Sequence, residues 1–485
     1  MILPPPKPSR KMLPSPFAQE VLARLPLAES FYLLWRYLAT DAVLQELFEQ
    51  HRGRCYHDQL PFAELVGVLA DAITRYRGSG HRALVKAAQR ASLATQPRAV
   101  YGKLARVPLP LAEAFLATLT ARLRPLFPAG LYHTELPASL RDLAVVVLDG
   151  KKIKKAAKRL LVTRGRPGKL FGGKLLVAYL PAAGLAVALA ADLDGEANDI
   201  RLLPRALTLT RAAVPGLRLW VADRQFCDLD QTARFGAEGD HFLLRFTKRN
   251  GFTADPARPA RSGSDAAGRT FTQEWGWMGG ANDPRRYQVR RLTRQRPGQE
   301  AIVLVTDLLD ADRYPGADLL AVYLTRWQIE NVFQQITEVF ALDHLIGCTP
   351  QATVFQASLC LVIYNVLQLI RGAIAAGRPE PTAVTALSSE KIFLDLHEEL
   401  LGLHRTLQDE EWLLWLHQPD SAVELWARLQ ALLGRAWTPE WWKAVNKKRR
   451  PHPAQARQSG AHTSVHKLLE QAKKDRQNPR GRASP

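Results

Sequence analysis

The chain has 485 residues, too many for one ordinary hydrophobic core, and this predicts about two to four domains. Its content of 47% hydrophobic and 23% charged residues is that of a soluble globular protein and not of a membrane protein. The net charge of +20 comes from two stretches: residues 151–174 hold ten Lys or Arg and no acid, and residues 443–485 hold twelve against two acids. Such concentrated charge favours a polyanion as partner, nucleic acid before membrane, and the alternative is solvated charge for solubility.

The four cysteines are scattered without C-x-x-C spacing, which predicts reduced thiols in a cytoplasmic protein. The N-terminus has no continuous apolar segment, so we expect no secretory signal. The longest apolar run, 354–370, contains Gln356, Asn365 and Gln368 and is short for a membrane span. It predicts a buried helix, and no membrane partner is expected.

From the N-terminus, residues 1–16 are rich in Pro and Lys or Arg and predict a flexible arm. Residues 17–140 show helical apolar spacing and predict a helical, DNA-binding domain. Thr95 followed by an early proline predicts a helix start, and the helix carries Arg98, Tyr101, Lys103 and Arg106 on its polar side. With a helix at 82–90 before it, this pattern fits a helix-turn-helix, although a plain helical bundle fits the same residues.

At residue 143 the pattern changes to β-structure. Residues 143–148 form a continuous apolar run that ends at Asp149, and residues 217–222 predict another strand, which ends at Asp223. Between them, 175–180 and 185–191 predict a hairpin and 198–213 a helix. This order predicts a mixed α/β sheet in which the acids at strand ends meet at one edge.

Residues 248–298 are rich in Gly, Pro, Ser and Arg and predict a β-rich insertion, after which 302–306 returns to a strand. The next helix places Tyr323, Arg326 and Glu330 on one face. A separate stripe is predicted to face the core, and it consists of Leu320, Leu324, Trp327 and Phe333. Taken in isolation, the spacing of Arg326 and Glu330 favours an ordinary surface ion pair.

The C-terminal part reads as helical and then as a basic tail. A helix is predicted over 354–376, and Ser388 is a candidate cap for a helix that reaches His404, within a helical region 377–446. Residues 447–485 are basic and contain proline, which predicts a tail that is disordered when free.

Three carboxylates therefore converge if the Glu330 helix covers the edge where Asp149 and Asp223 lie. Such hard oxygen ligands bind Mg²⁺ or Mn²⁺, and two ions suit in-line phosphoryl chemistry. Taken singly, each acid has a plain explanation as a turn, a surface pair or a helix charge.

The blocks Val-Leu-Asp149-Gly, Val-Ala-Asp223-Arg-Gln-Phe and Tyr323-x2-Arg326-x3-Glu330 resemble, in order, the three catalytic blocks of the DDE transposases of bacterial insertion sequences. More narrowly, they resemble the insertion-sequence-four family, marked by a Tyr-Arg-Glu-Lys signature around the third acid. The Val-Thr-Asp-Leu segment before that helix and the β-rich insertion are similar to the same family. The resemblance covers residues 143–376.

The resemblance implies a ribonuclease-H-like catalytic domain, 141–376, in which Asp149, Asp223 and Glu330 hold two Mg²⁺ or Mn²⁺ ions. It also implies that Tyr323 and Arg326 contact the DNA end near the scissile phosphate. The residues that we expect to bind DNA are Tyr323, Arg326, Lys151, Lys152, Lys154, Lys155, Arg224, Arg98 and Lys103.

One position departs from the family pattern. The signature lysine, seven residues after the glutamate, falls on Thr337, which removes one phosphate contact. Gln334 or the basic stretch 151–174 are candidates to compensate. Trp275 and Trp277 lie in the insertion, where relatives stack an aromatic ring on an extruded base, and burial in the sheet is the alternative.

The preferred function is a cut-and-paste transposase of a bacterial insertion sequence, acting on its terminal inverted repeats and on target DNA, as a homodimer at the nucleoid. One alternative is a DNA-binding regulator of the same origin with impaired catalysis. The other is a ribonuclease-H-like nuclease that cuts without strand transfer.

Overall fold

The structure is a computed structural model. It describes residues 16–55, 60–89, 96–127, 134–154, 158–296, 298–344, 347–380, 382–407, 412–413, 416, 419, 421–443 and 462–477. Its architecture is mixed α/β, with one large mixed sheet and many helices.

The N-terminal part is helical, as its apolar spacing predicts. Proline occupies the first turn of four of these helices, where its missing N–H costs no hydrogen bond. Thr40 caps another, since its Oγ1 accepts from the backbone N–H of Val43 at 3.3 Å. Apart from Pro16, the predicted arm 1–16 lies outside the described residues. The helices are α1 (Pro16–Ala23), α2 (Pro26–Leu38), α3 (Asp41–His51), α4 (Phe62–Thr74), α5 (Gly80–Gln89), α6 (Pro97–Leu104) and α7 (Leu109–Leu123).

The first part of the large sheet has five strands and two helices that follow the predicted order closely, and the short strand β2 lies outside this sheet. Their bounds are β1 (Ala144–Lys152), β2 (Leu170–Phe171), β3 (Lys174–Leu180), β4 (Leu185–Asp192), α8 (Asp199–Ala213), β5 (Arg218–Ala222), α9 (Leu229–Phe235) and β6 (His241–Arg245). Within the sheet the order is β4-β3-β1-β5-β6. The first three strands are antiparallel to one another, and β1, β5 and β6 are parallel.

The register of β1 and β5 places the first two acids side by side. The last parallel pair joins Leu148 to Ala222, so Asp149 and Asp223 follow directly on neighbouring strands. The prediction that this strand ends at Asp149 is wrong. The strand β1 continues to Lys152, because β3 pairs with it antiparallel up to that residue.

The insertion extends the same sheet. It contributes β7 (Phe252–Ala254), β8 (Arg261–Ser264), β9 (Thr270–Met278) and β10 (Tyr287–Arg296), and the chain returns through β11 (Gln299–Thr306). Beyond β6 the order is β11-β10-β9-β7, with β8 also paired to β9. The ten paired strands therefore form one sheet among the described residues, and the insertion continues the edge beyond the parallel strands.

The predicted buried helix lies at the centre of the molecule. After α10 (Gly316–Thr325) and α11 (Trp327–Gln334), the helix α12 (Pro350–Ala376) packs against α7 and β4. By length and composition alone α12 could cross a membrane, and 94% of its apolar window is buried inside the protein. Asn365 on α12 accepts from the backbone N–H of Ala186 at 3.0 Å and donates to the oxygen of the same residue at 2.7 Å. These bonds join α12 to the edge strand β4.

The C-terminal helical region contains α13 (Ser389–Thr406) and α14 (Ala422–Leu433). Ser388 caps α13 as predicted, because its Oγ accepts from the backbone N–H of Lys391 at 3.3 Å. Buried residues of these helices belong to the same hydrophobic core as those of the N-terminal helices and the sheet.

The prediction of a disordered tail, 447–485, is wrong for residues 462–477. They form β12 (Thr463–Ser464), which pairs with β2, and the helix α15 (Val465–Gln477). Val465 is 1% exposed and packs with Leu170 in a small cluster separate from the main core. The ammonium group of Lys467 forms an ion pair with Glu196. The composition of the tail indicated disorder. A few apolar residues are sufficient to hold this segment in place, because Leu160 and Leu170 of the folded protein supply the rest of the cluster.

We expect Val465→Asp to release this C-terminal segment from the body. Burying a charge in so small a cluster costs more than the cluster provides, since full burial of a valine contributes roughly 1.5–3 kcal/mol. Limited proteolysis at the lysines of α15 is then expected to become about tenfold faster or more, whereas the melting temperature of the body changes little. Val423→Asp is the matched control, since Val423 is 80% exposed. Equal cleavage rates in the two variants would contradict the packing role of Val465.

Candidate active site

Asp149 and Asp223 lie next to each other, directly after the paired residues of β1 and β5, and form the first part of the candidate site. The side chain of Asp149 is 17% exposed, and its Oδ1 accepts from the backbone N–H of Gly150 at 2.8 Å. Asp223 directly precedes a short 3₁₀ turn, 224–226. Its Oδ1 is buried and has no hydrogen-bond partner among the described residues. A buried carboxylate oxygen without a partner is costly, so this atom is available to an incoming ligand.

Arg326 connects Glu330, the third acid, to Asp149. One guanidinium nitrogen, Nη1, lies 3.4 Å from Oδ2 of Asp149, and the other, Nη2, lies 3.6 Å from Oε1 of Glu330. Arg326 is 7% exposed, whereas the side chain of Glu330 is 41% exposed. Arg326 is therefore a buried bridge between two acids and not one half of a surface ion pair.

The helix that carries these residues is divided at Arg326. The backbone N–H of Arg326 donates to Tyr323, and that of Ile329 donates to Arg326, each three residues back, where an α-helix spans four. Three-residue bonds turn the chain by about 120° per residue in place of about 100°, which shifts the faces of the two segments. The predicted apolar stripe accordingly fails at Trp327, which is 59% exposed, while Leu320 and Phe333 are buried.

The carboxylates at this site repel one another. Burial raises the pKa of Asp149 to about 6, the nearby acids Glu330 and Asp223 add to this effect, and Arg326 and the N–H of Gly150 oppose it. Burial also raises the pKa of Tyr323, which is 5% exposed. The site therefore holds more negative charge than its own cation and hydrogen bonds neutralise.

We expect Asp149→Asn to stabilise the metal-free protein above about pH 6. The folded pKa of Asp149 lies above the unfolded value, so the folded state holds the proton more tightly and loses stability as pH rises from about 4 to about 6. A shift of roughly two units corresponds to at most about 3 kcal/mol, which asparagine would recover. Melting curves in chelator should show a gain at pH 8 that vanishes near pH 4. A gain independent of pH would contradict the charge argument, and Asp312→Asn, at an exposed position, is the control.

Comparison with known proteins identifies the domain that contains this site. Residues 141–366, which include all three acids, match the family described as Transposase DDE domain. The chain carries a transposase DDE domain. A solved structure described as a cryo-EM structure of the piggyBac transposase synaptic complex with hairpin DNA is also similar, with 13% identity, coverage of 87% of either chain and a TM-score of 0.36. No curated protein matches the chain.

The match confirms the predicted enzyme class, a transposase, and the broader prediction of a DDE transposase. The DDE domain runs from the residues before β1 to the middle of α12. It thus spans the strands that carry Asp149 and Asp223, the insertion, and the divided helix with Glu330.

Beneath the first acid of the DDE domain lies an ion pair that the sequence analysis did not single out. Lys174 Nζ and Asp199 Oδ1 are 2.6 Å apart, and both side chains are less than 10% exposed. A Cβ added at Gly150 would lie 2.2 Å from the Asp199 carboxylate, so only glycine fits there. The pair and Gly150 together fix the end of β1 next to Asp149. Asp199 was one of several acids in its stretch, and no local signal distinguished it.

The basic stretch lies partly against the site of the DDE domain. Lys151 is half-buried, its ammonium lies 5.4 Å from the ring centroid of Phe333, and burial lowers its pKa. Lys152 lies over the ring of Phe171 at 5.3 Å, and Lys154 is exposed. Lys155 lies outside the described residues.

Arg224, beside the second acid, forms an ion pair with Glu300 at 3.0 Å. The same carboxylate also pairs with Arg245 at 2.7 Å, so two arginines share one acid next to the site. Arg224 is 48% exposed in its side chain and remains open to a further anionic partner.

The prediction that Lys103 binds DNA is wrong. Lys103 is 4% exposed, its ammonium donates to the backbone oxygen of Leu60, and it lies 4.4 Å from the ring centroid of Phe48. A lysine stem is apolar, so it can pack inside while its ammonium finds a carbonyl. Arg98, on the same helix α6, is exposed as predicted.

The donor set of the DDE domain fits a hard divalent ion, on which DDE transposases in general depend. The three acids offer hard carboxylate oxygens, and Oδ1 of Asp223 has no partner among the described residues. As the side chains stand, no group of three or more Asp, Glu, His or Cys in the described ranges is close enough to hold a metal. Arg326 lies between Asp149 and Glu330 and accounts for this separation.

Two further positions qualify the family pattern. Thr337 lies in a π-helical turn, Gln335–Val339, and its hydroxyl donates to the backbone oxygen of Phe333 at 2.6 Å, so it does not replace the missing lysine. Trp275 is 5% exposed and donates from Nε1 to Leu309 at 2.7 Å, which favours burial for this residue. The ring of Trp277 is covered by the guanidinium of Arg286 at 4.3 Å.

Proposed function

We propose that the chain is a cut-and-paste transposase of a bacterial insertion sequence of the insertion-sequence-four type. The observation that carries the proposal is the register of β1 and β5, which places Asp149 and Asp223 side by side, with Arg326 reaching from the Glu330 helix. This arrangement lies within the segment that matches the transposase DDE domain. The strand order β4-β3-β1-β5-β6, antiparallel and then parallel, supports a ribonuclease-H-like core.

In this proposal Asp149, Asp223 and Glu330 hold two Mg²⁺ ions, or Mn²⁺ in their place. When bound, the ions supply charge stabilisation and lower the pKa of the attacking hydroxyl. The buried, unpartnered Oδ1 of Asp223 and the raised pKa of Asp149 support this assignment, because a divalent cation relieves both.

The chain's own cations position the DNA. Arg326 exchanges part of its contact with the acids for a phosphate oxygen, which its planar guanidinium can bind through two N–H groups. Tyr323, buried beside it, restricts the guanidinium, whose carbon lies 6.0 Å from the ring centroid. Lys151 and Lys152 at the end of β1, Lys154 just after it and Arg224 beside the second acid add further positive charge for the DNA. Lys155, outside the described residues, is proposed to bind DNA with them.

The substrates in this proposal are the terminal inverted repeats of the element and a target duplex, held by a homodimer at the bacterial nucleoid. In this proposal the same carboxylate site serves both the cleavage of the element ends and their joining to the target. The net charge of +20 supports a polyanionic partner, since phosphate contacts supply most of the affinity in such complexes.

The test incubates the purified chain with Mg²⁺, a labelled duplex taken from the ends of the surrounding element, and a supercoiled plasmid. Cleaved ends that become joined to the plasmid are the expected result. Cleavage without joined products would replace the proposal by a nuclease. Binding without cleavage would replace it by a DNA-binding regulator, the alternative favoured by Thr337 at the signature lysine position.

A further inference from the structure

A second basic site lies between the N-terminal helices and the DDE domain. A cavity of about 660 Å³ opens between α6, the chain at residues 159–160 and the start of α12. None of its lining residues belongs to the carboxylate site. We call it the arginine cleft; its lining residues are Arg98, Ala99, Tyr101, Gly102, Ala105, Arg106, Arg159, Leu160, Gly347, Cys348 and Thr349.

The charge of the arginine cleft is of one sign. Its three charged lining residues are arginines, and all three are exposed. In the part of the chain that the structure describes, no acid lines the cleft, and Arg98, Arg106 and Arg159 form no ion pair. Other exposed arginines of this protein, such as Arg285 and Arg269, do pair with neighbouring acids. Three uncompensated guanidinium groups around one opening indicate an anionic ligand.

The local structure holds these groups in place. The guanidinium of Arg106 lies over Gly102. A Cβ added at Gly102 would be 3.6 Å from each of the two terminal nitrogens of Arg106. Gly347, with φ of +79°, turns the chain so that Cys348 and Thr349 complete the wall. Thr349 caps the N-terminus of α12, a helix of 27 residues. The N-terminal end of the helix dipole is positive, so it adds to the positive electrostatic potential of the arginines.

The size and composition of the cleft favour a chain of phosphates over one phosphate ion. The arginines come from two separate segments around a large opening, and Tyr101 between them is 36% exposed. Guanidinium groups with an accessible aromatic ring are typical of surfaces that follow a nucleic-acid backbone.

We infer that the arginine cleft binds the sugar-phosphate backbone of duplex DNA, at a place other than the cleaved bond. This rests on the proposed function, since it assigns a second contact to the same substrate. It also joins two features that the sequence presented separately, the polar side of α6 and the basic stretch 151–174.

The first test removes the charge. A variant with Arg98→Gln, Arg106→Gln and Arg159→Gln is compared with a control that loses three exposed arginines elsewhere, Arg201→Gln, Arg234→Gln and Arg258→Gln. Affinity for a labelled duplex is measured over a range of salt in chelator, so that no cleavage intervenes. Each lost phosphate contact lowers the slope of log affinity against log salt by about 0.9, so we expect a fall of about 2.7 in the first variant. We expect a fall of less than about one in the control.

The second test keeps all three arginines. Gly102→Glu places a carboxylate next to the Arg106 guanidinium, in a helical position with space for a side chain, and Gly102→Gln is the uncharged control of the same size. We expect weaker binding and a smaller salt slope for the glutamate variant than for the glutamine variant. This comparison stands even where the triple variant fails to fold.

The outcomes separate this inference from the proposed function. A wild-type chain that binds no duplex overturns both. A wild-type chain that binds and cleaves, with cleft variants that behave as their controls, overturns the cleft alone. Inorganic phosphate is the remaining probe: arginine-dependent stabilisation by phosphate, with an unchanged salt slope for duplex DNA, would assign the cleft to a small anion and also overturn the inference.

Discussion

Replacing Asp223 with asparagine, or Glu330 with glutamine, is expected to lower DNA cleavage by about a thousandfold or more while the duplex still binds. Each change keeps the size of the side chain and removes one negative oxygen from the metal site. Metal ions supply several kcal/mol of charge stabilisation to phosphoryl transfer, and each 1.36 kcal/mol is a factor of ten in rate. The loss of one ligand is therefore sufficient for an effect of this size.

Binding is expected to survive because the substitutions make the site less negative. Burial raises the pKa of Asp149 to about 6, and repulsion from Glu330 and Asp223 adds to this effect. A neutral side chain relieves this repulsion, so the metal-free variants should melt at the same temperature as the wild type or higher. A variant that loses binding or unfolds would contradict this argument.

The matched controls are acids in similar settings outside the site. Asp192→Asn changes an acid at the end of β4, and Glu338→Gln changes an exposed acid two turns beyond Glu330. Both are expected to cleave within about threefold of the wild type. Cleavage at wild-type rates in either the Asp223 or the Glu330 variant would remove that residue from the metal site.

The positions of Asp149 and Asp223 were predictable because buried parallel strands have a simple signature. Both faces of β1 and β5 are covered before the two acids, so residues 144–148 and 219–222 are continuous apolar runs, and the first polar residue after each run marks the edge of the sheet. What the pattern could not supply was the end of β1, since the antiparallel partner β3 extends that strand past Asp149.

Lys174 and Asp199 could not be predicted as a pair. They are 25 positions apart on β3 and α8, and the contact exists only because both elements pack under Gly150. Similarly, Lys103 has the spacing of a surface residue, and only the packing of α6 against Phe48 and Leu60 shows that its stem is inside. Periodicity describes one helix, whereas burial depends on its neighbours.

The C-terminal tail contains a short apolar stripe that predicts a helix, although its average composition predicts disorder. Val465, Leu468 and Leu469 have the spacing of one helix face, and α15 buries Val465 against Leu170. Average composition over 447–485 is basic and polar, so this short stripe had little weight in the prediction of disorder.

Arg326→Ala is expected to lower cleavage per bound complex by a hundredfold or more, with a much smaller effect on binding. The guanidinium lies 3.4 Å from Asp149 and 3.6 Å from Glu330, and it is the side chain best placed to hold a phosphate against both acids. A misplaced scissile group loses the benefit of positioning, which amounts to several powers of ten in well-oriented reactions. Arg326→Lys keeps the charge and loses the planar fork, so we expect an intermediate rate.

The pH dependence of the same variant distinguishes this role from a surface ion pair. Arg326 lowers the pKa of Asp149 against the larger effect of burial, so its removal raises that pKa further above about 6. Metal must then compete with a more tightly held proton, and the acidic limb of the pH–rate profile should move towards neutral pH. An ordinary exposed pair is worth only roughly 0.3–0.5 kcal/mol and has no such effect on the profile. Wild-type cleavage per bound complex with an unshifted acidic limb, as expected for the control Arg201→Ala, would refute the phosphate role of Arg326.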